Sequence, residues 1–98
     1  MPTFDAQRKA AELQRQLAAL TGHDQAKVRP YGTHLLIQMR RHDMVETIAR
    51  LTEVGRNTYS SAFRSHTGRW EPLPCGGDLT ATAALVVSLL APYFDPNN

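Results

Sequence analysis

Apolar residues recur at Ala6, Ala10, Leu13, Leu17 and Leu20, spacings of three and four, while Arg8, Glu12 and Arg15 fall on the opposite side. That period is a helix's, with one stripe turned to a core. Thr3 is placed to cap it, Asp5 sits in the first turn where the helix dipole favours a carboxylate, and Gly22 is the expected stop. The stretch from His23 to Pro30 is polar and ends in proline, so it reads as a connection running into an extended segment.

From Thr33 to Arg40 the period drops to two. Leu35, Ile37 and Met39 point one way, and Leu36, Gln38 and Arg40 the other. After a turn at Arg41-His42-Asp43, a second strand is predicted over Glu46 to Val54. A turn at Gly55-Arg56-Asn57 leads to a third strand from Thr58 to Ser65, rich in Tyr, Thr and Phe. Thr67-Gly68 suggests a tight turn into a short strand at Arg69 to Leu73, which Pro72 and Pro74 confine to an edge. Past Gly76-Gly77, with Asp78 or Thr80 as N-cap, a second helix is expected to run to Ala91. Leu79, Ala83, Val86, Val87, Leu90 and Phe94 share its core face. Thr80, Ala81, Ala84, Ser88 and Ala91 lie opposite, flanked by Leu85 and Leu89.

The fold expected is therefore α+β: an N-terminal helix, an antiparallel meander of three to four strands, and a C-terminal helix packed with the first on one sheet face. Residues 1–94 are expected to form one domain and 95–98 a short disordered tail. A single core should gather Leu13, Leu17, Leu20, Leu35, Ile37, Phe63, Val86 and Leu90. The chain has 98 residues, 42% of them hydrophobic and 20% charged, ordinary values for a globular chain.

The formal net charge is only +2, too small by itself to point to nucleic acid. Its distribution is uneven. Residues 31–74 hold six arginines, no lysine and four acids, whereas residues 75–98 hold only Asp78 and Asp95. With the outer face read by strict alternation, Arg40, Arg50 and Arg64 share it with Leu36, Ile48, Val54 and Ala62. In that strand, Ile48 and Val54 compete with Ala49 and Leu51 for the core. Three arginines among aliphatic residues is the composition of a contact surface. The uncharged outer side of the second helix, with Ala81, Ala84, Leu85, Ser88 and Leu89, is a candidate for self-association, and hence for a homodimer.

Catalytic chemistry finds little support. His23, His34, His42 and His66 lack the i,i+4 or i,i+2 spacings that gather metal ligands, so no metal or cofactor is expected. Cys75, the single cysteine, lies at the mouth of the second helix, where a thiolate can be favoured, but no base is placed beside it by the sequence. Asp43 with Glu46, or Glu53 with Glu71, are carboxylates that strand pairing could bring together. The order helix, strands, helix resembles that of double-stranded-RNA-binding domains, but Cys75 to Thr82 contains none of the lysines such domains use against phosphates, and no family follows.

The leading expectation is thus a non-enzymatic protein-interaction or accessory module. A nucleic-acid-binding module using the Arg-bearing sheet face, with Arg56 and Arg69 as additional contacts, and a thiol-dependent enzyme or redox factor at Cys75 are the alternatives. The lone cysteine fits a reducing compartment. The longest uncharged run, Leu79 to Phe94, is too short and broken for a membrane span, so a cytoplasmic location is expected.

Overall fold

A computed structural model describes residues 4–41, 43–74 and 77–95. Helix α1 (Phe4–Thr21) leads into a five-stranded antiparallel meander, β1 (Ala26–Tyr31), β2 (His34–Arg41), β3 (Met44–Gly55), β4 (Thr58–Arg64) and β5 (Trp70–Pro72), in spatial order β1-β2-β3-β4-β5. Helix α2 (Leu79–Leu89) and a 3-10 turn (Ala91–Phe94) follow. Both helices cover one sheet face and pack on each other: α1 lies along β1 and α2 reaches β4. The class is α+β, as the hydrophobic pattern predicts, with one strand more than expected. The cap assigned to Thr3 and the tail from Pro96 onward lie outside the described residues.

The extra strand is β1, which sequence reading leaves as a connection. Ala26, Val28 and Pro30 turn inward and Lys27, Arg29 and Tyr31 outward, an alternation that Pro30 disguises as a break. A proline is tolerated there because β1 is an edge strand. A two-residue hairpin loop, Gly32-Thr33, pairs Tyr31 with His34, and Gly32 adopts φ +58°, a conformation that glycine enters without strain. Toward the open side of β1, the Val28 N–H donates to Gln14 Oε1 at 2.9 Å. At the other margin Pro72 occupies the corresponding place on β5, and the N–H of the next residue, Leu73, bonds inward to Ser61 O at 3.0 Å.

The core gathers Leu13 and Leu17 of α1, Leu35, Ile37 and Met39 of β2, Ala49 and Leu51 of β3, Tyr59 of β4, and Ala83, Val86, Leu90 and Phe94. Phe63 packs against it, partly buried. Leu20 does not join: at the last turn of α1 it is 45% exposed, lining an open cavity with Val87, Ala91 and Phe94.

The contest for the core in β3 has an unexpected resolution. Ile37 pairs with Ala49, and Gln38 with Thr47, so Ile48 is the additional residue of a β-bulge. The bulge lets two consecutive side chains turn the same way. Ile48 and Ala49 are consequently both buried, Ile48 with 3% exposure, and Ile48 is removed from the outer face on which strict alternation puts it. Val54 lies at a second irregularity, beside the hairpin loop, and is exposed.

Asp78 caps α2, its carboxylate accepting from the Ala81 N–H at 2.8 Å. Thr82 is fully buried beside it, its hydroxyl accepting from Gly77 N–H at 3.0 Å and donating to Asp78 O at 2.8 Å. The helix ends at Leu89 instead of Ala91, and Pro92 lies in the first positions of the 3-10 turn that brings Phe94 back to the core. His23 fastens that turn. Its Nδ1 accepts from the Gln25 N–H at 3.1 Å, so its Nε2 carries the proton donated to Phe94 O at 2.6 Å.

Candidate functional site

With both helices on one side, the opposite sheet face is uncovered. Residues directly opposite in antiparallel pairs share a face, so the register lists its occupants. The row Arg29–Leu36–Arg50–Ala62–Pro72 crosses all five strands. The neighbouring row contains Lys27, Gln38 and Thr47, and beside it Arg64 pairs with Trp70; next comes Arg40 opposite Val45. On the other flank lie Tyr31, His34, Thr52 and Ser60.

Lys27, Arg29, Arg40, Arg50 and Arg64 thus occupy one face. The strand carboxylates go the other way. Glu46 pairs with buried Met39, Glu53 with buried Tyr59, and Glu71 with Phe63, all on the helix side. Among the described residues, every ion pair also belongs to the helix side: Asp5 with Arg8 and Lys9, Lys9 with Glu53 at 2.7 Å, and Glu12 with Arg15. None of the five outer cations is bonded to a carboxylate. A sum over the chain conceals this, because the near-neutral total is a basic face set against a mixed one.

Polar groups between the cations are ordered by cross-strand bonds. Gln38 Nε2 donates to Thr47 Oγ1 at 3.1 Å, and His34 Nδ1 lies 2.8 Å from Thr52 Oγ1. The Arg50 guanidinium lies over the Trp70 ring, 4.4 Å from its centroid, and its shielded Nε has no acceptor. Tyr31, at the opposite margin, is 63% exposed. At one end of the sheet a cleft of about 330 Å³ opens between Asp24, Lys27, Gln38, Arg40 and Val45, and another of about 370 Å³ runs from Val45, Glu46 and Thr47 past Arg64 to Tyr93, so each has one carboxylate in its rim.

Of the residues expected on this face, Arg40, Arg50, Arg64, Leu36 and Ala62 are there and Ile48 is not. Arg56 and Arg69 sit in loops, exposed. Lys27, Arg29 and Tyr31 were missed with β1. Their alternation with Ala26, Val28 and Pro30 is the signal that would have found them. On α2, Ala81, Ala84, Ser88 and Leu89 are exposed and Leu85 is half-buried.

The sites considered for chemistry fare differently. Cys75 and His42 lie outside the described residues. Among the described residues no group of three His, Cys, Asp or Glu side chains could hold a metal ion. Glu53 and Glu71 are not brought together, since Glu53 pairs with Tyr59 near one end of β4 and Glu71 with Phe63 near the other. The groups with shifted proton affinity form one cluster at the α1–β3 contact. The hydrogen bond to Glu53 holds the Lys9 pKa above the usual lysine range, hydrogen bonds from Lys9 and Arg8 lower that of Asp5, and burial raises that of Tyr59. Lys9 thus stays protonated at neutral pH, and its pair with Glu53 fastens the helix to the sheet. No helix is long and apolar enough to cross a membrane among the described residues.

No protein-family model, curated protein or solved structure matches the chain.

Proposed function

We propose that this protein is a non-enzymatic binding module whose working surface is the uncovered sheet face, and that its partner is anionic. The observation that carries the reading is the segregation of charge: Lys27, Arg29, Arg40, Arg50 and Arg64 share that face, while Glu46, Glu53 and Glu71 lie on the other. Cations gathered on one face with no carboxylate bonded to them repel one another, at a cost to the free protein that an anionic partner relieves. With Ile48 buried and Lys27 and Arg29 added, the face is more electrostatic than the mixed Arg/aliphatic surface expected from the sequence. The single cysteine supports a reducing, cytoplasmic setting.

Retention on a heparin column tests the reading. Arg29/Arg40→Gln should elute at clearly lower salt than Arg8/Arg15→Gln, which removes the same charge from the helix side. Equal elution of the two variants would sink it.

A second reading, self-association through α2, is supported by the exposure of Ala81, Ala84, Ser88 and Leu89 on a helix without a charged residue. Sedimentation at micromolar concentration tests it: a dimer split by Leu85→Glu supports the homodimer, and a wild-type monomer removes it.

A further inference from the structure

We infer that the anionic partner is single-stranded nucleic acid, lying across the strands of the uncovered sheet face with its phosphates on the cationic band and bases on the aromatic margins. The inference rests on the anionic-partner reading and deepens it.

The shape of the surface favours a single strand. Reading base edges in the major groove of a duplex takes a helix or a two-stranded ribbon narrow enough to enter it. Both helices of this chain are on the far side of the sheet, and the N-terminal end of α2, where a duplex-RNA binder would present lysines, has Asp78 instead. An extended single strand needs only an open, basic platform. The band from Lys27 and Arg29 on β1 through Arg50 on β3 to Arg64 on β4 crosses three strand spacings, about 14 Å. It therefore follows several consecutive nucleotides instead of one phosphate.

The aromatic groups on the face favour bases. An acidic polypeptide would be satisfied by cations alone. Bases also need planar apolar surfaces, and stacking on them tolerates any sequence. Tyr31 offers an exposed ring at one margin, and the stacked pair of Arg50 and Trp70 offers a guanidinium plane and an indole near the other. Between them Gln38, Thr47, His34, Thr52 and Ser60 present hydrogen-bonding groups. The alternation of cation, polar group and ring across one sheet face distinguishes this surface from a merely basic one.

The test is a set of parallel titrations followed by anisotropy at about 50 mM salt. The probes are a labelled oligothymidylate of about twenty nucleotides, the same length as an abasic phosphodiester, a duplex of that length, and polyglutamate. The oligothymidylate should bind tightest, with a log–log salt slope of roughly −2 to −3.5 if three to five phosphates are neutralised. The abasic strand should bind about tenfold more weakly, and Tyr31→Ala should weaken oligothymidylate by a similar factor without altering the slope. Arg29/Arg64→Gln should reduce the slope itself. Polyglutamate or duplex binding as tightly as the single strand, or an abasic strand equal to the intact one, overturns the inference while leaving an anionic partner in place. Absence of binding to every probe overturns both readings.

Discussion

The Arg50 guanidinium carbon lies 4.4 Å from the centroid of the Trp70 ring, a contact that passes over β4 and ties β3 to β5. The last strand is only three residues long, and this side-chain bridge adds to its backbone pairing with β4. Trp70 is the only tryptophan, so its fluorescence reports the contact directly. Arg50→Gln should shift the emission to the red as the ring gains water, and should lower stability by about 0.5–2 kcal/mol in urea unfolding. An unchanged spectrum would show that the bridge is not formed in solution.

Leu17 and Leu20 lie on the same predicted stripe yet differ in surroundings. Leu17 is fully buried under α2 and the sheet, whereas Leu20 keeps nearly half its surface in water. Leu17→Ala should cost about 2–5 kcal/mol by chemical denaturation. Leu20→Ala should cost less than about 1 kcal/mol, in the range of surface changes.

The bulge in β3 makes a sharper claim. Ile48→Ala should be destabilising by about 2–4 kcal/mol, like any truncated core residue, whereas Val45→Ala, three positions earlier and exposed, should be nearly neutral. Equal costs would mean that β3 keeps strict alternation and that Ile48 faces water.

Stability should fall in alkali. The Lys9 pKa is raised by its bond to Glu53, and the Tyr59 pKa is raised by burial. For both groups the folded chain keeps its proton to higher pH than the unfolded chain. Their contribution is therefore complete below the unfolded values, near pH 10, and is lost as pH rises through the folded ones. Urea midpoints taken between pH 8 and 11 should decline toward the alkaline end, and Lys9→Gln or Tyr59→Phe should each flatten the decline. A wild-type midpoint that holds constant to pH 11 contradicts the assignment.

Much of the architecture was legible because period and burial agree. Leu13 and Leu17 on α1, the alternation of Leu35, Ile37 and Met39, and the face of α2 bearing Ala83, Val86 and Leu90 all occupy the core as their spacing predicts. What escaped was decided by tertiary pairing. Pro30 reads as a break in isolation, but an edge strand accepts it. Ile48 reads as outward by parity, but the bulge shifts parity by one. Both errors fall on the same surface, which is why its composition could not be read correctly from the chain. Thr82 was hidden for another reason. A threonine early in a helix reads as polar surface, and only the Gly77 and Asp78 backbone groups that it satisfies explain its burial.

The margins of the sheet bear on how the molecule behaves in a crowded solution. A bare outer strand is a template on which another chain can add, and unguarded ones lead to fibrils. Here Val28 has already given its N–H to Gln14, Pro30 has none to give, and Pro72 blocks the far side in the same way. Growth by strand addition is thereby obstructed at both ends of the meander, so the broad face can remain open to a ligand without the protein polymerising on itself.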